Sequence, residues 1–375
     1  MMLIYFTSVT GHNIEFIHHL YMGAYERDVE TIIALPEKFE EQRKVFGWPH
    51  SEKIRFELLS EAELGSICAP MWSRAWRYCR TLKRVMCQFG VKTAFVADLL
   101  SLLPYVGIMF NRTYRLHGLI FHIYLYRWHT RSMIKNYIEA LFFYTLAKSE
   151  AVSSIFIGND RSAAACFNKK LRCSKFIYVP DPFVGRDATT RDLRKEYGIS
   201  PSDKVLLHFG SMGGRKGTYE ILKSIELLTE KQKKEFVFVF AGIVQDKQTF
   251  YSLHKLVKDK CRILIFDAFC EFDFLIQWCK ACDLILMPYT HTHASSGILA
   301  YAASVDKPVL GPYLGLIGKL IRKYSLGTRI CKITPETLAL SYSSAVEIRV
   351  DGEKYISENT VSKFNSVVYS RLMNY

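Results

Sequence analysis

Short apolar runs rich in β-branched and aromatic residues alternate with longer segments of helical spacing along this 375-residue chain. Such patterning leaves few options, because each strand feeds a helix that must cover the sheet it came from. The outcome is an α/β protein wound from βα units around parallel sheets. In the first half, strands are expected at Leu3 to Thr7, Thr31 to Leu35, Ile54 to Leu58, Ala94 to Ala97, Leu119 to His122, Ser154 to Ile157 and Phe176 to Val179. The second half repeats the pattern at Val205 to Phe209, Phe236 to Ala241, Arg262 to Phe266, Leu284 to Met287 and Pro308 to Leu310. Between the halves, VPDPFVGRDATTRDLRKEYGISPSD replaces apolar strands with prolines and charges. The expected domains are therefore 1–183 and 184–351, and the segment 352–375 reads as a helix that closes the second domain or crosses back onto the first. Ligands of doubly wound sheets bind at the carboxyl ends of strands, so the loops that follow strands carry the functional information.

Charge is unevenly spread. The formal net charge is +14, and Met71 to Ser149 holds twelve Lys or Arg against only Asp98 and Glu139. A field of that sign attracts anions, whether lipid headgroups, phosphorylated substrates or nucleic acid. Within it, MWSRAWRYCRTLKRVMCQ spaces Arg77, Arg80 and Arg84 helically beside Trp72 and Trp76, a face suited either to an anionic membrane surface or to a solvated rim over its own sheet. The apolar run Thr93 to Asn111 contains Asp98 and Pro104, which argues for a strand, a turn and a helix rather than a membrane span. Ten cysteines are scattered without framework spacing, and the first residues carry no basic leader or cleavage site. These features predict reduced thiols in a cytoplasmic protein, docked peripherally at the inner face of the cell membrane if the basic face meets lipid. Cys279 and Cys282 have redox or zinc spacing but lack a second ligand pair and are expected to be core thiols; no metal is expected.

Two loops stand out. In VLLHFGSMGGRKGTYEILKSI an apolar strand runs into Gly210-Ser211-Met212-Gly213-Gly214-Arg215-Lys216-Gly217 and then into a helix patterned through Ile221, Leu222 and Ile225. Glycines admit close backbone approach, a helix start offers unpaired N–H groups, and Arg215 and Lys216 add charge, so a diphosphate suits the loop. The spacing matches neither GxxxxGK[ST] nor GxGxxG. In the second, CDLILMPYTHTHASSGILAYAASVDKPVLGP, a strand ends at Pro288-Tyr289 and Ser295-Ser296-Gly297 opens a helix of small residues. Alone, the first loop reads equally well as an ordinary turn and the second more often as an ordinary N-cap; two anion-ready loops in one sheet suggest one phosphate-bearing ligand.

Taken in order, VPDPF, FGSMGGRKG, Ala241-Gly242, ACDLILMPY, SSGILAYAA and KPVLGP resemble the donor-binding half of retaining GT-B glycosyltransferases of family 4, over roughly Val179 to Gly327. The resemblance implies a GT-B fold, two Rossmann-like domains facing a central cleft, and transfer of a sugar from a nucleotide-diphosphate donor with retention of configuration. The acceptor it implies is a glycan or a lipid-linked precursor. Lys216 would sit on the donor diphosphate, with Arg215 supplying a second charge because Ser211 stands where many members carry arginine. The backbone at Gly213, Gly214, Ser296 and Gly297, with Ser295 beside them, would line the phosphates, and the segment Asp267 to Phe269 would face the base. His293 and Tyr301 fall where members often carry two glutamates near the donor sugar and the ribose. In the first half the likeness is one of outline. Gly11 and His12 follow the first strand, His122 is expected to end a strand, and Asp98 follows another; His12, His122 and Asp98 are the candidate catalytic residues. For His122 and Asp98 a satisfied core histidine and a helix-capping carboxylate are the rival readings.

Three other functions stay open. Another GT-B reaction such as nucleotide-sugar epimerisation is the nearest enzyme rival, but it relies on carboxylates and histidines that this sequence does not mark. A non-catalytic GT-B partner is favoured by His293 and Tyr301 in the glutamate positions. A basic nucleic-acid-binding protein is favoured by charge alone; without a complete zinc ligand set, an RNP-like strand or a recognition-helix motif, no nucleic acid is expected.

Overall fold

The computed structural model describes residues 1–9, 13–66, 68–128, 132–185 and 191–373. The chain divides into two compact units, one of Met1–Tyr124, Trp128–Pro182 and Asn359–Tyr375, the other of Leu125–Arg127 and Phe183–Glu358. Each is built on a parallel sheet.

The first sheet contains β1 (Met2–Tyr5), β2 (Thr31–Pro36), β3 (Ile54–Leu59), β4 (Thr93–Val96), β5 (Arg115–Ile120), β6 (Val152–Gly158) and β7 (Phe176–Val179) in the order β3-β2-β1-β4-β5-β6-β7. The second contains β8 (Lys204–Phe209), β9 (Phe236–Ala241), β10 (Arg262–Phe266), β11 (Leu284–Leu286), β12 (Val309–Pro312) and β13 (Gly327–Ile330) in the order β10-β9-β8-β11-β12-β13. In both, the winding direction reverses between the first and fourth strands, and a crevice for ligands opens at the carboxyl ends of such a pair. Strands such as FVFVFA of β9 are buried along their whole length, as strands covered on both faces must be.

Three expectations are corrected. β5 runs Arg115–Ile120, earlier than Leu119 to His122, so His122 lies past its end and is exposed. The chain enters the sheet there because Gly118 can pass close to β4; a Cβ at that position would lie 2.2 Å from the Val96 carbonyl oxygen. β13 is a strand whose polar Thr328 and Arg329 give no apolar signal. The segment 352–375 is two helices, Glu353–Glu358 and Val361–Leu372. Asn359, fully buried, interrupts them by accepting from the Asp181 amide at 3.1 Å, and Thr360 caps the second helix through the Lys363 amide.

The last helix belongs to the first unit for specific reasons. Asn365 donates to the His19 carbonyl at 2.9 Å, the Tyr369 hydroxyl donates to the Leu20 carbonyl, and Phe364 and Val368 join the core with Ile17 and Phe156. Gly23 makes this approach feasible, since a Cβ there would stand 2.5 Å from the Tyr369 ring. Cys279 and Cys282 are buried core thiols, and burial pushes Cys282 up to about 12. Among the described residues no helix is long and apolar enough to cross a membrane.

Candidate functional site

The loops after β8 and β11 occupy the reversal point of the second sheet, and both carry the residues singled out from sequence. After β8 the chain passes Gly210 with φ +95°, makes a short 3-10 turn at Gly214–Lys216, crosses Gly217 with φ +72° and enters the helix Thr218–Glu226. That helix buries Ile221, Leu222 and Ile225, the stripe read from its spacing. Gly217 is obligatory on two counts: its φ, and the 2.0 Å that would separate a Cβ from the Pro288 carbonyl oxygen. Gly213 is extended and Gly214 has ordinary dihedral sign, so neither is required by backbone conformation.

The two loops are bonded to each other. Thr290 donates its amide to the Arg215 carbonyl at 3.1 Å, and its hydroxyl reaches the Gly214 and Arg215 carbonyls at 3.2 Å. Lys216 folds back over Gly210, donates to the Phe209 carbonyl at 3.2 Å, and sits 5.4 Å from the centre of the Tyr289 ring. The Tyr289 hydroxyl is in turn 3.2 Å from the Ser296 hydroxyl. An ammonium has three donors, and among the described residues this one gives one to the Phe209 carbonyl, which leaves donors for an anion. Ser211, Gly214 and Arg215 are exposed on the same turn.

A buried relay that the sequence reading missed holds the first loop. His208 on β8 places Nδ1 2.9 Å from the Leu286 carbonyl and Nε2 2.9 Å from the Thr218 hydroxyl, which accepts from the Gly213 amide at 2.8 Å. A carbonyl can only accept, so Nδ1 carries the proton; Nε2 then accepts from Thr218, whose oxygen is left to accept from Gly213. Every polar atom in the chain is satisfied only with neutral histidine. Burial, seconded by the nearby Lys216 charge, pushes His208 down to about 3. The visible signal was a lone histidine in the apolar strand VLLHF with a threonine directly after the last loop glycine.

The remaining candidates are less closely gathered. Gly297 is itself the N-cap of the helix Ile298–Ser304 and no side chain caps it, so Ser296 serves Tyr289 rather than the helix end. His293 and Ser295 are half-buried, with the His293 ring 5.9 Å from that of His291. Tyr301 is only 5% exposed, edge-packed on Phe209 and Phe183, so its ring is a core element rather than an open ribose contact. Phe269 is 65% exposed after β10. Asp267, expected beside it, is occupied: it accepts from the Val244 amide at 3.0 Å and from Lys247 and Tyr251, contacts that hold its carboxyl below the usual range.

At the reversal point of the first sheet, Asp98 follows β4 and accepts from the Leu100 amide at 3.1 Å, capping the turn Leu99–Leu102. Burial pushes its carboxyl up to about 6 despite that bond, so it keeps the protonation range of a general acid or base. Gly11 and His12 lie outside the described residues. Of the basic stripe on the helix Met71–Gln88, two arginines are used within the fold: Arg77 donates to the Ala62 carbonyl, and Arg84 pairs with Glu57 and Glu63. Arg80 is exposed. Among the described residues no cluster of three or more His, Cys, Asp or Glu could hold a metal ion.

No protein-family model and no curated protein matches the sequence. Solved structures do match over the whole chain. HepE of Anabaena, in complex with UDP and glucose, aligns at TM-score 0.70 with 15% identity over 99% of both chains. Sucrose-phosphate synthase from Thermosynechococcus elongatus aligns at 0.73 with 11% identity over 99% of this chain and 98% of its own. WaaG, a glycosyltransferase involved in lipopolysaccharide biosynthesis, aligns at 0.64 with 15% identity over 99% of this chain and 95% of its own. The protein has the GT-B fold. At these identities the likeness establishes architecture alone, and activity must be argued from the site. Within the GT-B fold of this chain, the candidate site is the pair of loops joined through Thr290.

Proposed function

We propose that the protein is a glycosyltransferase that takes a sugar from a nucleotide-diphosphate donor and passes it, with retention of configuration, to a glycan or lipid-linked precursor of a surface polysaccharide. The observation that carries the reading is the linked pair of loops in the second unit, where Lys216 lies over the buried ring of Tyr289, whose hydroxyl in turn meets the Ser296 hydroxyl. Cleavage at the anomeric carbon leaves negative charge on the departing diphosphate. Lys216, the exposed Arg215 and the amides of Ser296 and Gly297 would receive that charge from groups already fixed in place, which lowers the barrier without reorganisation. Phe269, exposed beyond β10, offers a face for the base. Uridine nucleotides are the first class to examine, since HepE is solved with UDP. Asp98, pushed up to about 6 by burial, is one first-unit group with the protonation range for proton transfer from an acceptor hydroxyl, beside His12 and His122. A lipid-linked acceptor would bring the protein to the inner face of the cell membrane.

A second reading, a GT-B protein that binds a nucleotide-sugar without turning it over, is favoured by one observation. His293 and the buried Tyr301 stand where the resemblance leads one to expect glutamates. The deciding experiment is a thermal-shift screen against nucleotide-diphosphate sugars and free nucleotides, with Lys216→Ala in parallel. Stabilisation by one nucleotide class that disappears in the variant supports the donor site, because a ligand bound only by the folded state raises its apparent stability. No shift with any nucleotide rejects it, and sugar release from a bound donor separates the two readings.

A further inference from the structure

The helix Met133–Lys148 is apolar on the wrong side. Its inner face is buried through Phe143, Leu146 and Ala147, as a helix on a sheet should be. Its outer face, however, carries Met133, Ile134, Tyr137, Ile138, Leu141 and Tyr144, all exposed, with Ile134 at 74%. At 3.6 residues per turn these six fall within an arc of roughly 140°. Lys148 lies in that arc with its ammonium 5.9 Å from the centre of the Tyr144 ring; Glu139, the one acidic residue of the helix, is half-buried outside it. The apolar surface continues. The short helix Val106–Met109 packs against Met133–Lys148 and shows Ile108 at 78% exposure. Trp76 of the helix Met71–Gln88 meets Tyr105 edge-on at 5.3 Å, and Trp72, 62% exposed, extends the patch. Folded soluble proteins do not leave large apolar side chains in such continuity without something to cover them.

We infer that this face of the first unit is a docking surface for an anionic lipid bilayer, with Met133–Lys148 lying flat in the headgroup region. Charge selects the occupant. The stretch Met71 to Ser149 that builds the face has twelve Lys or Arg against two acidic residues, and Arg80, one turn on from Trp76, and Lys148 are exposed beside the apolar side chains. A second copy of the chain would bring like charge against like, which disfavours self-association, whereas anionic headgroups complement it. Apolar side chains flanked by tryptophan, tyrosine and lysine suit the headgroup boundary, where rings and ammonium tips stay wet while apolar bodies are buried. The inference extends the lipid-linked acceptor reading, but it concerns binding to a surface and is read without donor or acceptor.

The test is flotation of the purified protein with vesicles of phosphatidylcholine alone and of phosphatidylcholine mixed with phosphatidylglycerol, at low and high salt. The wild type should float with the mixed vesicles, weakly with the neutral ones, and less at high salt. Ile134→Glu combined with Leu141→Glu places two carboxylates on the exposed arc and should weaken binding about tenfold or more. Both positions are exposed, so melting and nucleotide response should match the wild type. Equal binding to neutral vesicles would overturn the inference, as would unchanged binding by the double variant. So would a wild-type dimer, seen by light scattering, that the double variant dissociates while neither form binds vesicles. A failure here with nucleotide binding intact leaves the donor site standing, and the reverse result leaves the membrane face standing.

Discussion

At the reversal point of the second sheet, two loops are stitched together through Thr290, and a neutral histidine beneath them fixes the first. At the reversal point of the first sheet, the loop after β4 bends onto itself through Asp98, and the unit's distinctive chemistry lies instead on helices, as exposed apolar side chains amid cations. The sheets share their strand order over the first six strands, reversal point included, so the order cannot account for the difference. Parallel strands fix where a crevice opens, and loop chemistry fixes what it holds. On the two proposals above, one unit would present cations to a small anion and the other an extended surface to a bilayer.

Four experiments can break or sharpen this contrast. The largest effect is expected from Gly217→Ala, which forces a Cβ against the Pro288 carbonyl at a left-handed φ. It should destabilise the second unit by about 3 kcal/mol or more. In denaturant melts the first unit should keep its transition; coincident loss of both would mean the units fold as one.

Next, Lys216→Ala removes the charge but no packed core. Nucleotide affinity by calorimetry should fall about 10- to 100-fold, the worth of a charge-assisted contact, with little change in melting. Unchanged affinity would move the anion site elsewhere in the loop.

Acid should separate the units as well. His208 is pushed down to about 3 from an ordinary 6.5, so below about 6.5 the unfolded state binds a proton the folded state refuses. Stability of the second unit therefore falls with pH, by about 1.4 kcal/mol per unit from this group, until its folded value is reached. In the first unit His117, buried and pushed down to about 4, acts with the same sign. Asp98, raised to about 6, acts oppositely, because between about 6 and 3.8 the folded state holds the extra proton and gains stability as pH falls. Hydrogen exchange near pH 4 should thus open the loops around Gly213 before the strands of the first sheet. The opposite order would show that other groups dominate, and His208→Gln should flatten the response of the second unit.

The smallest effect is expected from Phe269→Ala, which removes an exposed ring and nothing else. Base stacking is worth about 1 kcal/mol or somewhat more by alanine substitution, so nucleotide affinity should drop several-fold while affinity for inorganic diphosphate stays constant. Equal losses for both ligands would place the base elsewhere.

Much of this architecture could be read from local pattern. β9 and β10 occupy the expected residues, and the helix Met71–Gln88 coincides with its amphipathic stretch, because a buried strand and a half-buried helix write their burial into residue spacing. The reading failed where neighbours distant in sequence decide. β5 begins early because Gly118 can slide past Val96, and β13 is polar yet paired because β12 offers it an edge. In the candidate site the loops, the glycines and the basic pair were legible. Thr290 as the stitch and His208 as the support were not, since each acts through carbonyls whose positions no spacing reports.

The sequence by itself determined the class of fold, the strand-following loops and the uneven charge, all properties of residue order along one segment. Only the tertiary structure decided that the two loops are bonded to each other, that the chain breaks at Asn359 to send its last helix to the first unit, and that Met133–Lys148 turns apolar residues outward. A helix apolar on both faces has no periodicity that marks which one the sheet will cover, so burial there is settled by packing between segments far apart in the chain.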